Sequence, residues 1–286
     1  MRHHVPVLGE EVRALMRVKE QGIYVDATCG SGGHSRILLE SADGVRVIGI
    51  DKDEEAVRRA TDALAGFPGF TAVRGGFEHL GAILRSCGVD AVDGILFDLG
   101  FSSCQMSDDR RGFSFLREGP LDMRFDRASR LTAWEIVNCW SRQRLGRLLK
   151  EYADIRHPWR LVDRIVERRE RMPFDTTTDL AAVLSWGRRR GRIHPATRVF
   201  QALRIAVNDE LGALGAALPQ AVDALASGGR ILVISFHSGE DRLVKRFFRE
   251  ESRLRQVTKK PVRPSPDEVR HHRESRSARL RAAERI

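Results

Sequence analysis

Asp26-Ala27-Thr28-Cys29-Gly30-Ser31-Gly32-Gly33-His34 is the stretch that decides the fold of this chain. It stands between Gly22-Ile23-Tyr24-Val25-Asp26, a short apolar run of strand character, and Ser35 to Leu39, which continues with helical character. Glycines at a strand-to-helix turn let the backbone come close to a ligand, and the helix start offers N–H groups without partners. Asp51 closes the next apolar run, Val45 to Ile50. An acidic group at that place can accept hydrogen bonds from both ribose hydroxyls of an adenosine. A tight turn beside a surface aspartate is the plain alternative.

Two adenosine cofactors compete for this grammar. The dinucleotide fingerprint G-x-G-x-x-G would start at Gly30 and Gly32, but its last position is Ser35. An acidic residue placed ahead of the glycines, here Asp26 with Thr28 at the first glycine position, is the arrangement used for S-adenosylmethionine. That cofactor carries a cationic amino group and a sulfonium, so carboxylates attract it, whereas they would repel a pyrophosphate. The residues favour S-adenosylmethionine over NAD.

Outward from the loop, Asp53 to Leu64 reads as a helix, Phe70 to Val73 as a third strand and Val92 to Asp98 as a fourth. Strands alternating with helices predict a doubly wound parallel sheet. The alternation stops at about Asp108. Thr132 with Glu135 and Thr176 with Asp179 are helix-start signals, and Leu145, Leu148, Leu149 and Tyr152 recur at helical spacing. Val199 to Leu214 reads as one long helix, and Gly228 to His237 then restores the strand pattern. The expected architecture is a Rossmann-like α/β domain over 1–107 and 213–286, interrupted by a helical domain over 108–212. The tail from Glu251, rich in arginine and broken by Pro261, Pro264 and Pro266, reads as partly irregular.

The chain has 286 residues, 42% of them hydrophobic, and a net charge of +10. That size supports a full core, and the charge favours a polyanionic partner. Cys29, Cys87, Cys104 and Cys139 show neither CxxC pairing nor regular spacing, which argues against a zinc site or a disulfide framework. His3-His4 and His271-His272 lack partners at ligand spacing, so no metal is expected. With no signal-like or membrane-length apolar run, a cytoplasmic location is expected. The oligomeric state stays open, a homodimer included.

Asp98-Leu99-Gly100-Phe101-Ser102-Ser103-Cys104-Gln105 follows the fourth strand. Open α/β sheets bind ligands beyond the carboxyl ends of their strands. Asp98 is therefore the candidate catalytic residue. As an acceptor it can hold an N–H of an aromatic amine and favour a lone pair directed at a methyl carbon; a helix cap is its structural alternative. Cys104 invites comparison with pyrimidine C5 methylation, which needs a cysteine nucleophile. The commoner reading is a small buried thiol. His237 is either a contact to a target base or a structural hydrogen-bonder. Arg188, Arg189 and Arg190 form a candidate phosphate patch.

These motifs together resemble the bacterial 16S ribosomal RNA cytosine-N4-methyltransferases (the RsmH/MraW family). The resemblance runs through His4 to Leu8, Gly30 to Ser35, Ile50-Asp51, Asp98 to Ser103, Arg111 to Phe115 and Gly119 to Arg124. It continues through His194 to Arg198, Phe200 to Arg204, Ile234 to Ser238 and Arg276 to Arg281. It implies a Rossmann-like S-adenosylmethionine-dependent methyltransferase sheet with an inserted helical domain that docks RNA. It also implies 16S rRNA within the small ribosomal subunit as partner and N4-methylcytidine in the decoding region as product. The implied cofactor contacts are Gly32, Gly33, His34, Asp51, Phe77, Asp98 and Gln105, with Ser102 and Ser103 near the substrate. For Phe77 there is an independent reason, because an aromatic after the third strand can stack on adenine. Cys104 and Gly239 stand where the family usually has Pro and Leu, and Ala153 to Trp159 departs from its pattern. A non-catalytic ribosome-assembly factor with a relic cofactor fold is the competing class.

Overall fold

A computed structural model of the chain describes residues 6–185 and 195–286. The chain divides into two compact units, Met1–Gly100 with Leu211–Ile286, and Phe101–Glu210.

The first unit begins with α1 (Gly9–Met16), β1 (Ile23–Asp26), α2 (Gly33–Leu39), β2 (Arg46–Asp51) and α3 (Glu54–Ala63). It continues with β3 (Phe70–Arg74), α4 (Leu80–Ser86) and β4 (Val92–Asp98). The second unit contains α5 (Ser103–Ser107), α6 (Ala133–Cys139), α7 (Arg142–Tyr152), α8 (Trp159–Arg171), α9 (Thr177–Ser185) and α10 (Pro195–Asn208). The chain then supplies α11 (Glu210–Ala224), β5 (Leu225–Ser235), α12 (Ser238–Glu250), β6 (Leu254–Gln256), α13 (Pro266–His271) and β7 (Arg279–Arg285).

The seven strands form one sheet in the order β3-β2-β1-β4-β5-β7-β6. The first five are parallel, and β7 runs antiparallel to both β5 and β6. The architecture is doubly wound and Rossmann-like, as expected. Both faces of the sheet are covered, so the central strands are apolar on both sides. Val25, Ile95, Phe97, Ile231 and Val233 pack into one cluster with Leu214, Leu218 and Val222 of α11. Their neighbours Tyr24, Leu96, Leu232 and Ile234 pack into the other with Val12, Met16 and Leu38. This is the period-2 alternation that a strand imposes.

The tail is irregular over 257–265, as expected, but it also completes the sheet. Residues after Glu251 supply β6 and β7, and Leu280, Ala282 and Ala283 are fully buried. Arginines of the last strand are paired across the fold. Arg281 Nε lies 2.7 Å from Asp241 Oδ1 and Arg279 Nη1 3.1 Å from Asp241 Oδ2. Arg230 Nη2 lies 2.7 Å from Glu284 Oε2. Such long-range pairing is invisible in a local reading.

In the second unit the predicted start signals form reciprocal caps. The Thr132 hydroxyl accepts from the Glu135 N–H while the Glu135 side chain accepts from the Thr132 N–H, and Thr176 and Asp179 do the same. Pro158 precedes α8, so the helix restarts there. Ile136, Leu145, Leu149, Val162, Ile165 and Leu203 are among its core residues. The long helix expected over Val199 to Leu214 is two helices. Asp209 takes φ +46° between them, a left-handed backbone that ends α10.

Candidate active site

β1, β2 and β4 end side by side, and the candidate residues of the first unit stand at those ends. Asp26 pairs in register with Leu96 and Gly49, next to the chain turns that follow each strand. Gly32 has φ +85°, and a Cβ there would lie 2.8 Å from Leu64 Cδ1, so both backbone and space require glycine. Asp26 is buried, and its Oδ2 accepts from the Ser35 hydroxyl at 2.7 Å. It therefore braces the loop from beneath. Burial pushes its carboxyl up, opposed by His34 and the Ser35 hydrogen bond.

Asp51 ends β2 and organises the loop from the other side. Its Oδ2 accepts from the Gly30 N–H and its Oδ1 from the Asp53 N–H, each at 2.9 Å. A carboxylate has about four acceptor positions, so further hydrogen bonds remain available. Burial pushes the Asp51 carboxyl up to about 6, against the two backbone donors that pull it down.

Asp98 ends β4. Its N–H donates to the Thr28 hydroxyl at 2.7 Å, which ties the fourth strand to the glycine loop. Its Oδ2 lies 3.4 Å from His34 Nε2, an ion-pair distance too long for a well-formed hydrogen bond. Both ring nitrogens of His34 and Oδ1 of Asp98 are buried without a hydrogen-bond partner. Burial alone would pull the His34 imidazole down; the carboxylates of Asp98, Asp26 and Glu268 outweigh it and raise it. Native interiors rarely leave polar atoms orphaned, so these atoms have hydrogen-bonding capacity to spare. Phe77 follows β3, its ring edge-on to Phe97 at 5.6 Å between centroids, with Lys52 Nζ 5.9 Å from its centroid. Lys52 itself pairs with Glu78 at 2.7 Å.

His237 caps α12: its Nδ1 accepts from the Gly239 N–H at 3.2 Å and the Glu240 N–H at 3.4 Å. Nδ1 is thereby committed to the cap, while Nε2 is buried without a hydrogen-bond partner. Gln105, Ser102 and Ser103 belong to the second unit. Ser102 caps α5, with its hydroxyl accepting from the Gln105 N–H and Gln105 Oε1 accepting from the Ser102 N–H. Gln105 is buried. Arg188, Arg189 and Arg190 lie outside the described residues. Cys104 is exposed, which corrects its reading as a buried thiol. The roles of Thr28, Ser35 and Asp26 in tying strands to loop were not read from the sequence, although their positions in the motif are the signal.

The sequence profile of the MraW methylase family matches residues 1–286. Ribosomal RNA small subunit methyltransferase H of Thermomicrobium roseum is 50% identical over 305 residues, covering 99% of this chain and 94% of that protein. The protein of the same name from Carboxydothermus hydrogenoformans is 45% identical over 307 residues, covering 99% and 98%. That of Persephonella marina is 43% identical over 294 residues, covering 100% of each. With a glycine loop, two strand-end aspartates and a family match that spans its whole length, this chain belongs to the MraW methylase family.

Proposed function

We propose that this protein transfers a methyl group from S-adenosylmethionine to the exocyclic N4 amine of a cytidine in the decoding region of 16S rRNA. The observation that carries the chemistry is the Asp98 carboxylate at the end of β4, with Oδ1 buried and lacking a hydrogen-bond partner. The small-subunit rRNA substrate rests on the names of the relatives.

When bound, S-adenosylmethionine supplies an electrophilic methyl group. The residues present suit it: carboxylates favour its cationic end, Asp51 accepts from the ribose hydroxyls, and Gly32 and Gly33 admit it close to the backbone. Phe77 offers an aromatic surface to the adenine, and Gln105 is assigned to the same cofactor. Asp98 accepts an N–H of the cytosine amine, orienting its lone pair for direct transfer, and positioning rather than a strong base carries the rate. His34 Nε2 stands 3.4 Å from Asp98 Oδ2 and flanks the carboxylate. The second unit, with Ser102, Ser103 and the arginines at 188–190, is assigned to RNA.

The test is the product. Small-subunit RNA methylated by the purified enzyme is digested and compared with N4-methyl and C5-methyl cytidine standards; a C5 product, or no product, overturns the reading. A C5 route needs a thiolate at Cys104 and a base beside it. Since Cys104 is exposed, Cys104→Ser should fold within about 0.5 kcal/mol of wild type and retain most activity. Loss of turnover in a folded Cys104→Ser enzyme that still binds cofactor would transfer the assignment to C5.

Asp51 yields a two-sided prediction. Its folded value of about 6 lies above the ordinary aspartate value of 3.8. A raised value contributes stability that is fully present below the unfolded value and lost as pH rises through about 6, so at pH 7 the ionised group costs stability. Asp51→Asn removes the ionised group but turns one of the two acceptor oxygens into an NH2 that faces a backbone N–H, at a cost of about 1–3 kcal/mol at any pH. Measured against wild type, the cofactor-free variant should therefore fare better at pH 7 than at pH 4, by about 1–3 kcal/mol. The same variant should bind S-adenosylmethionine about tenfold or more weakly, having lost charge-assisted hydrogen bonds. Melting curves at both pH values and calorimetry check it; a stability difference from wild type that is the same at pH 4 and pH 7, or wild-type affinity, contradicts it.

A further inference from the structure

The C-terminal segment returns to the active-site edge of the sheet. Because β7 is antiparallel to β5, Arg279 pairs with Ser235, the last residue of β5. Whatever precedes Arg279 in the chain thus lies beyond the carboxyl ends of the parallel strands, where Asp98 stands. Asp98, Ile234 and Leu280 are register partners across β4, β5 and β7. Leu280 is two strands from Asp98, about 10 Å at ordinary strand spacing. Val262 bridges to Leu280 with backbone hydrogen bonds of 2.9 Å in both directions. From there the chain crosses back toward the glycine loop. Glu268 Oε1 accepts from the Leu8 N–H at 2.9 Å, and Pro6 lies against Gly33, its Cγ 3.3 Å from where a Cβ would stand.

This strap is held, and it is basic. Ser275 is buried, its hydroxyl donates to the His272 carbonyl at 2.7 Å, and the Ala278 N–H donates to the Ser275 carbonyl at 2.8 Å. Lys259, Lys260, Arg263, Arg273 and Arg276 are exposed. Among the described residues none of the five has a carboxylate in ion-pair range, whereas Arg253, Arg255, Arg279 and Arg281 are all paired. The acids of the strap are engaged. Asp267 Oδ1 lies 3.1 Å from Arg270, Glu268 accepts from Leu8, and Glu274 lies 3.8 Å from His272. The fold pairs those four arginines and leaves these five toward solvent.

We propose that the segment 259–276 docks the phosphate backbone of the substrate RNA at the rim of the active site, with Arg263, Arg273 and Arg276 as its principal contacts. This rests on the function proposed above and adds to it where the strand lies. Phosphate contacts set the register of a nucleic acid without reading its bases, as positioning one cytidine over Asp98 requires.

Binding of a fluorescein-labelled single-stranded RNA is followed by anisotropy across a salt series. For the Arg263→Ala/Arg273→Ala/Arg276→Ala protein the slope of log affinity against log salt should be shallower by about 2, three contacts at roughly 0.7 each. The corresponding triple Lys variant should restore it. KM for RNA should rise while kcat at saturating RNA, cofactor affinity and melting temperature hold. Arg17→Ala/Arg85→Ala, a control away from the rim, should leave the slope unchanged. A wild-type slope and KM in the triple Ala protein, or equal flattening in the control, overturns the proposal. Failure of the functional reading is seen separately: wild-type protein would bind RNA with its salt dependence and transfer no methyl group.

Discussion

An Asp98→Ala protein should lose methyl transfer by about 10²–10³-fold at saturating cofactor, the cost of removing one oriented electrostatic contact. The reason lies in how Asp98 is held. Its backbone N–H is fixed by the Thr28 hydroxyl at 2.7 Å, so the side chain leaves the end of β4 in one direction. His34 Nε2 stands 3.4 Å from Oδ2 and restrains that oxygen, leaving the buried Oδ1 to meet an incoming amine. Alanine removes the acceptor and leaves the strand intact. The assay is single-turnover methylation with cofactor in excess, because Asp98 is also assigned a cofactor contact. A near-wild-type rate under those conditions eliminates Asp98 as the amine acceptor.

The second large effect concerns stability. Arg204 Nε lies 2.7 Å from Glu210 Oε1 and Arg204 Nη2 2.9 Å from Oε2, with both side chains under 10% exposed at 8% and 9%. The guanidinium also lies 4.8 Å from the centre of the Phe101 ring. Glu210→Ala deprives a buried charge of its bidentate partner, and breaking such a pair costs about 3–5 kcal/mol. Replacing both residues by leucine should cost far less, since apolar substitutes avoid the stranded charge. Denaturant unfolding measures both. A Glu210→Ala loss below about 1 kcal/mol would show that solvent reaches the pair.

Arg204 also shows how a motif can be legible while its purpose is not. Phe200 to Arg204 belongs to the family pattern. Within the second unit, Phe200 and Leu203 enter the core and Arg204 the buried ion pair. Arg111 to Phe115 and Gly119 to Arg124 behave likewise. The Met123 N–H donates to the Arg111 carbonyl at 3.0 Å, and Arg111 Nη2 donates to the carbonyls of Arg124 and Phe125 at 2.9 and 3.0 Å. A Cβ on Gly112 would lie 1.9 Å from the Pro120 carbonyl oxygen, so the two motifs pack backbone to backbone. They are long because they fit each other.

What the sequence determined alone was whatever neighbouring residues decide among themselves. The glycine loop, the strands from Ile23, Arg46, Phe70 and Val92, and the caps at Thr132 and Thr176 rest on torsional preference, hydrogen bonds three residues apart and apolar period. The pairing of Asp51 and Asp98 with that loop followed from the order of strands in a doubly wound sheet. Tertiary structure decided whatever depends on partners far along the chain. It buried an arginine-rich tail as β7 by setting Asp241 and Arg230 opposite its charges. It set His237 Nδ1 as the cap of α12, and left Cys104 exposed where its residue type suggested burial. Burial and charge compensation are sums over distant neighbours, and only the folded chain brings those neighbours together.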